Sequence, residues 1–232
     1  MLQHARAMIY ASVAVAACAV AIQGAPAAAK WQLALNTTEG FVPHGVLASV
    51  ATHKGQQAVR VVEDPKATTP EGYVIVPGPA LQDGSIEVDL AGHPGAGADQ
   101  AARGFVGVAF RVRSDHSAFE CFYLRPTNGR ADDQLRRNHS TQYISFPDFP
   151  WQKLREQTPG VYESYVDLVP SEWTHVRVDF KDKRAQLFVN RSPQPALIVN
   201  DLKLAPASGG VALWIGSGTE GFFRDLRVTT SS

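Results

Sequence analysis

Glu120 alternates with Phe122 and Leu124 in the run Phe119–Arg125, which sets a carboxylate on the same strand face as two core-type side chains. A carboxylate taken out of water must pair or hold a proton. Glu120 is therefore a candidate general acid with a raised pKa, or a structural partner of an arginine or backbone amide. Arg111, Tyr123 and Arg125 fall opposite their strands' apolar stripes. Two guanidinium forks and an aromatic plane on one patch suit the hydroxyls and C–H faces of a sugar. A solvated sheet face carrying salt bridges has the same pattern. Further on, Arg136-Arg137-Asn138-His139, with Tyr143 and Trp151, mixes cations, an amide, an imidazole and aromatic rings. That is the polar-plus-stacking set of a ligand rim, in which Arg137, Tyr143 and Trp151 would contact substrate and His139 would join Glu120 in proton transfer. A solvated basic loop is the plain alternative. Trp214 lies opposite Val211, Leu213 and Ile215, so it is either a stacking platform or buried under the long segment containing Trp151.

Other chemistries find little support. Asp132-Asp133 near Asn128 could hold calcium through hard oxygens, but the spacing matches no EF-hand loop. The histidines show no H-x-x-H or H-E-x-x-H spacing, so no metal ligand and no cofactor is assigned. There is no G-x-S-x-G, P-loop or dinucleotide fingerprint. Cys121 lies in an apolar run without an activating neighbour and reads as a small buried hydrophobe. With 22 basic and 22 acidic side chains the chain lacks the basic surplus that phosphate neutralisation needs, which argues against a nucleic-acid partner.

The elements that must position these groups are short strands. Val106, Val108, Phe110 and Val112 share one face, with Gly107, Ala109, Arg111 and Arg113 on the other. Trp173–Phe180 repeats the alternation, with Val176, Val178 and Phe180 inward, and Lys181-Asp182-Lys183 turns it into 185–189. Val46–Ala51 and Gln57–Glu63 flank a polar turn as a hairpin. Strands are also expected at 73–76, 85–90, 162–168, 196–199, 211–215 and 222–228, about a dozen in all at hairpin spacing. Between Pro126 and Pro159 the alternation breaks into a long insertion with at most one short strand, at 142–145, and a helical turn at 154–157. The fold class that follows is all-β: two antiparallel sheets packed as a jelly-roll β-sandwich with one long loop insertion.

The N-terminus has the features of an export signal. Arg6 is the only charge before Lys30, an apolar run covers Met8 to Ile22, and Ala27-Ala28-Ala29 fits the small-x-small cleavage pattern. Residues 1–29 are thus assigned as signal peptide and 30–232 as a single domain, exported to the periplasm or beyond. Val15-Ala16-Ala17-Cys18 loosely matches a lipobox, so a lipid anchor at Cys18 is the alternative, and no other membrane association is expected.

Several blocks appear in a familiar order: Gly104 to Arg111 (GFVGVAFR), Phe119 to Tyr123 (FECFY), Ser171 to Val178 (SEWTHVRV), Leu187 to Asn190 (LFVN), Gly210 to Gly216 (GVALWIG) and Phe223 to Val228 (FRDLRV). In this order they resemble concanavalin A-like lectin/glucanase jelly-roll domains, closest to the laminin-G-like and 3-keto-disaccharide hydrolase branch. The resemblance covers roughly residues 85 to 228 and is carried by structural motifs. It implies a sugar held on a sheet face or by rim loops. Glycosidases of that superfamily carry E-x-D-x-x-E on one strand. Here Glu87-Val88-Asp89 is followed by Ala91 and Gly92, so the third carboxylate is missing. The first expectation is an exported carbohydrate-recognising domain. A glycoside hydrolase or lyase of the 3-keto-disaccharide type is the second. A laminin-G-like adhesive module with a protein partner is the third.

Overall fold

The computed structural model describes residues 29–69 and 71–231; residues 1–28, on which the expected export signal falls, lie outside the described residues. In chain order the strands are β1 (Lys30–Leu33), β2 (Val42–His44), β3 (Val46–His53), β4 (Gln56–Glu63), β5 (Gly72–Ile75), β6 (Gly84–Pro94), β7 (Val106–Val112) and β8 (Phe119–Leu124). The second half adds helix α1 (Gln134–Asn138), β9 (Thr141–Phe146), helix α2 (Trp151–Gln157), β10 (Glu163–Ser164), β11 (Thr174–Lys181), β12 (Arg184–Val189), β13 (Leu197–Val199), β14 (Gly210–Ile215) and β15 (Thr219–Thr230). One sheet runs β13-β12-β11-β6-β15-β4-β3, with β1 also on β15. The other runs β10-β9-β8-β7-β14-β5-β2. Pairing is antiparallel, and neighbours such as β6 with β15 and β7 with β14 come from distant parts of the chain, as jelly-roll winding requires.

The core lies between the sheets. Val176, Val178 and Phe180 of β11 face inward beside Ile86, Val88 and Leu90 of β6, while Phe110, Phe122 and Leu124 come from the facing sheet. The Phe110 and Phe180 rings meet across the interface with centroids 4.4 Å apart. Both strands keep the alternation legible in the sequence.

The seven-stranded sheet departs from a half-solvated strand in one respect: β7 and β8 are buried on both faces. Helix α2 packs on β9 and brings Trp151 over the outer face, where Phe105 also lies. Small outer-face residues, Gly107, Ala109, Cys121 and Ala212, leave room for this second layer.

Three expectations are corrected here. Residues 162–168 form only the two-residue β10, because the Ser140 hydroxyl donates to Val166 O (3.0 Å) and accepts from Val166 N (2.7 Å), drawing that backbone off the ladder. The helical turn at 154–157 is the end of a seven-residue helix that begins directly after Pro150. Arg111 is not on the outer face. Between Ala109 and Val112 the strand holds one residue more than β14 does between Ala212 and Gly210, and Arg111 takes a left-handed φ of 52° at this bulge. The bulge turns its side chain toward the inter-sheet edge. There Nε donates to Gln82 O (2.8 Å), Nη2 donates to Asp83 Oδ1 (3.0 Å) and Asp182 O (2.7 Å), and the guanidinium sits 5.6 Å from the Phe180 ring centroid.

Candidate functional site

A trough crosses the outer face of the seven-stranded sheet, and strand register sets its floor. Glu163, Gln142, Tyr123, Gly107, Trp214 and Tyr73 stand opposite one another on β10, β9, β8, β7, β14 and β5. Directly opposed residues share a face, so this row is a single line of side chains across the sheet. At its centre Gly107 has no room for a side chain: a Cβ there would lie 2.2 Å from Phe122 O and 2.5 Å from Tyr123 Cβ. The Tyr123 and Trp214 rings close over it with centroids 4.7 Å apart. Trp151, at the start of α2, stands above this floor and is 36% exposed.

Trp151 and Phe105 divide the trough. On one side is a hollow of about 360 Å³ lined by Glu71, Tyr123, Ile144, Pro150 and Trp214. On the other is a hollow of about 250 Å³ lined by Arg103, Arg125, Asn128, Arg136, His139 and Arg155. His139 and Arg155 also border a third hollow, toward Tyr165. An aromatic floor with polar groups converging at its centre is the general form of a small-molecule site.

Electrostatically the centre is one carboxylate held by two arginines, with His139 beside it. The Glu163 side chain is 2% exposed. Its Oε1 accepts from Arg125 Nη1 (3.2 Å) and from Arg155 Nη2, and its Oε2 accepts from Arg155 Nε (3.0 Å). His139 Nδ1 is 2.9 Å from Oε2, at ion-pair distance but without hydrogen-bond alignment. Burial pushes the Glu163 carboxyl upward, but the hydrogen bonds of Arg155 and the charges of Arg155, Arg125 and His139 outweigh it and hold the carboxyl below its usual range. Burial pulls His139 below the usual imidazole value, with Arg155 and Arg125 in support and Glu163 opposed. Glu71, at the other end, is pushed up by burial, against a hydrogen bond from Trp214 Nε1 (3.3 Å).

Tyr123, Arg125, His139, Trp151 and Trp214 therefore meet in one place, although they were read from separate stretches of sequence. Arg125 does not present a free fork to a ligand. It is 4% exposed, and its Nη atoms donate to His139 O, Glu163, Tyr123 Oη and Gln142 Oε1. Its place is to hold the floor, with its guanidinium 5.6 Å from the Trp151 ring centroid. Arg137 lies to the side, donating to Tyr165 Oη (2.9 Å). Arg111 is at the opposite end of the strand pair: it lies six residues from Phe105, roughly 20 Å along β7.

Glu120 and Tyr143 are on the inner face, away from the trough. Glu120 pairs with Ser145 across the ladder and is fully buried, as its alternation with Phe122 predicts. It accepts from Tyr143 Oη (2.5 Å) and Leu204 N (2.8 Å), and Tyr143 Oη accepts from Lys203 N (2.9 Å). Burial raises the Glu120 pKa, yet these bonds serve the core: they tie the 202–204 segment to the sheet. The rim position expected of Tyr143 fails because odd-numbered β9 residues face inward. Asp133 accepts from Arg136 N (3.1 Å) as the N-cap of α1. Among the described residues no group of three or more His, Cys, Asp or Glu side chains is gathered as a metal site. No helix there is long and apolar enough to cross a membrane. Glu87 and Asp89 sit on the outer face of the other sheet, where Asp89 pairs with His175 (2.8 Å) and Arg224 (3.0 Å).

Glu163, Arg155, Arg103 and Phe105 were not singled out from the sequence. Arg155 follows Trp151 by one helical turn, a spacing that puts both on one helix face and was readable. The others enter through long-range pairing.

No protein-family model matches the chain, and no curated protein matches it. Solved structures do. A protein of unknown function with a galectin-like fold from Bacillus subtilis aligns with a TM-score of 0.55 at 9% identity, over 87% of this chain and 96% of that one. The VIP36 exoplasmic/lumenal domain in its Ca2+/Man2-bound form aligns with a TM-score of 0.52 at 11% identity, over 86% and 87%. The carbohydrate-binding module CBM66 from Bacillus subtilis aligns with a TM-score of 0.50 at 10% identity, over 80% and 96%. At these identities the likeness establishes the fold alone, a jelly-roll β-sandwich of two antiparallel sheets.

Proposed function

We propose that this protein binds a glycan in the trough over the seven-stranded sheet, with Trp151 as the stacking platform. The observation that carries the reading is the meeting of Trp151, Phe105, Tyr123 and Trp214 with Arg155, His139 and Asn128 around connected hollows. Sugars present C–H faces to rings and hydroxyls to such polar groups. Solved structures of this fold include a carbohydrate-binding module and the VIP36 exoplasmic/lumenal domain in a Ca2+/Man2-bound form, which supports the same reading. Export through the 1–29 segment fits a ligand met outside the cytoplasm, and the laminin-G-like and 3-keto-disaccharide hydrolase branch is the subgroup we assign.

Recognition is preferred to two-carboxylate hydrolysis because the two carboxylates of the trough are separately engaged: Glu163 is held by Arg125 and Arg155, whereas Glu71 accepts from Trp214, with Gln142, Tyr123 and Gly107 in register between Glu163 and Trp214. His139 supports a second reading as a lyase or hydrolase. Its depressed pKa leaves a neutral imidazole available as a base beside the trough.

The test is a glycan array followed by calorimetry on Trp151→Ala. Binding should fall about tenfold or more, because a stacked aromatic platform is worth on the order of 1 kcal/mol or more beyond its area. Thermal stability should hardly move, since the ring is substantially exposed. Unchanged affinity in a folded variant removes the trough from consideration. Turnover of the same glycosides, lost in His139→Ala, would install the enzymatic reading.

A further inference from the structure

The hollow on the α1 side of Trp151 has an unbalanced charge. Four arginines line it, Arg103, Arg125, Arg136 and Arg155, and no carboxylate does. Glu163, just beyond, neutralises Arg125 and Arg155 together. Arg103 and Arg136 have no carboxylate within ion-pair distance among the described residues. Arg103 Nη1 is spent on the backbone carbonyls of Gln100 and Ala102, which leaves its Nε and Nη2 free. Asp99, whose field reaches Arg103, accepts from Ala101 N. Arg136 is exposed, and among the described residues its guanidinium makes no hydrogen bond. Burial holds the Arg103 guanidinium below its ordinary value, and repulsion from Arg136 and Arg125 adds to this.

The same hollow holds an unused acceptor. Asn128 is 5% exposed, and its Nδ2 donates to His139 O (3.2 Å), which fixes the amide orientation. Its Oδ1 is buried without a partner. A buried acceptor left unpaired costs free energy that a donor from a ligand would recover. Free guanidinium donors beside a free acceptor are complementary to a group that joins an anion to a hydroxyl.

Resting on the glycan-binding reading above, we infer that the ligand is an acidic sugar, its carboxylate or sulfate on Arg103, Arg136 and the free Nη1 of Arg155, and a neighbouring hydroxyl donating to Asn128 Oδ1. The planar guanidinium fork matches a carboxylate in two-point contact, and the excess positive charge attracts the anion before contact. Arg125 and Glu163 act here as positioning residues. They hold Arg155 and His139 in place and do not touch the ligand.

The experiment compares three probes by calorimetry: an oligogalacturonate, the same oligosaccharide with its carboxyl groups reduced to alcohols, and a sulfated galactan oligosaccharide. The inference expects either charged probe to bind at least about tenfold tighter than the neutral one, as loss of one charge-assisted contact implies. The stronger of the two identifies the anion. That advantage should shrink as ionic strength rises and vanish in Arg103→Ala/Arg136→Ala, whose affinities for the charged and neutral probes should converge. Neither residue has a carboxylate partner, so the double variant should keep its fold, checked by its melting temperature. Equal affinity for charged and neutral probes, with both lost in Trp151→Ala, overturns the acidic-sugar inference and leaves the glycan trough standing. No binding of any probe, with none on the array, overturns both.

Discussion

Replacing Glu163 by Gln keeps the shape of the side chain and removes its charge. It should therefore report on the ion cluster at the centre of the trough. The wild-type carboxylate accepts from Arg125 and Arg155 and lies against His139. In Glu163→Gln one acceptor oxygen becomes an amide donor facing donors, and the buried Arg125 loses its counter-charge. Removing one member of a buried pair costs about 3–5 kcal/mol. Two features place this case at the lower end. Arg155 is 33% exposed, so water screens part of its loss. Arg125 keeps the neutral acceptors His139 O, Tyr123 Oη and Gln142 Oε1. The expected loss is about 3 kcal/mol near pH 7, or about 6–12 °C in melting temperature for a domain of this size.

The pH dependence has a definite sign. The folded pKa of Glu163 is depressed, so its contribution is present above the unfolded carboxylate value, about 4.3, and is lost as pH falls through the folded value. Urea unfolding of wild type and Glu163→Gln should therefore show the full gap near pH 7 and a closing gap toward about pH 3. A gap below about 1 kcal/mol near pH 7, or one undiminished at low pH, would refute the assignment of Glu163 as the buried anion that organises the site.

Two other substitutions probe groups outside the trough. Arg111→Ala should cost about 3–5 kcal/mol in urea unfolding, because loss of a 2%-exposed guanidinium takes the counter-charge from Asp83, which keeps only its bond from Asp182 N, and the donor from the Gln82 and Asp182 carbonyls, yet ligand affinity per folded molecule should be unchanged. A lowered affinity at full stability would return Arg111 to the binding surface. Glu120 carries the opposite pH sign from Glu163: burial raises its folded pKa, so its favourable contribution belongs to low pH and fades as pH rises through that value. Wild type should lose stability relative to Glu120→Gln between about pH 4 and pH 7, and a gap growing in wild type's favour over that range would contradict a carboxyl buried on the inner face.

The two-layer sandwich was legible because period-two alternation is a local property. Val176, Val178 and Phe180 had to share a face, and so did Phe110 with Val108 and Glu120 with Phe122. The insertion from Pro126 to Pro159 likewise declared itself by breaking that period and concentrating cations and rings. Alternation, however, sorts residues into two faces without saying what covers each. On β7 and β8 both faces are buried, so Tyr123 and Arg125, read as solvent-facing, became the floor under Trp151. Nor does it register an added residue. The bulge at Arg111 depends on how β7 pairs with β14, about a hundred positions away in sequence, and it moved that arginine from the expected patch to a structural bond at the sheet edge. Tyr143 went inward for a related reason: the register of β9 on β8 decides its parity, and the surrounding loop composition carried no sign of it. Glu163 becomes the hub of the site only once β10 pairs with β9 and brings it to Arg125, 38 residues earlier. Residue types sufficed to indicate an aromatic and cationic site. Which side chains share a charge, and which are left free to take one from a ligand, followed from long-range pairing, because ion pairs form between neighbours in space whatever their separation along the chain.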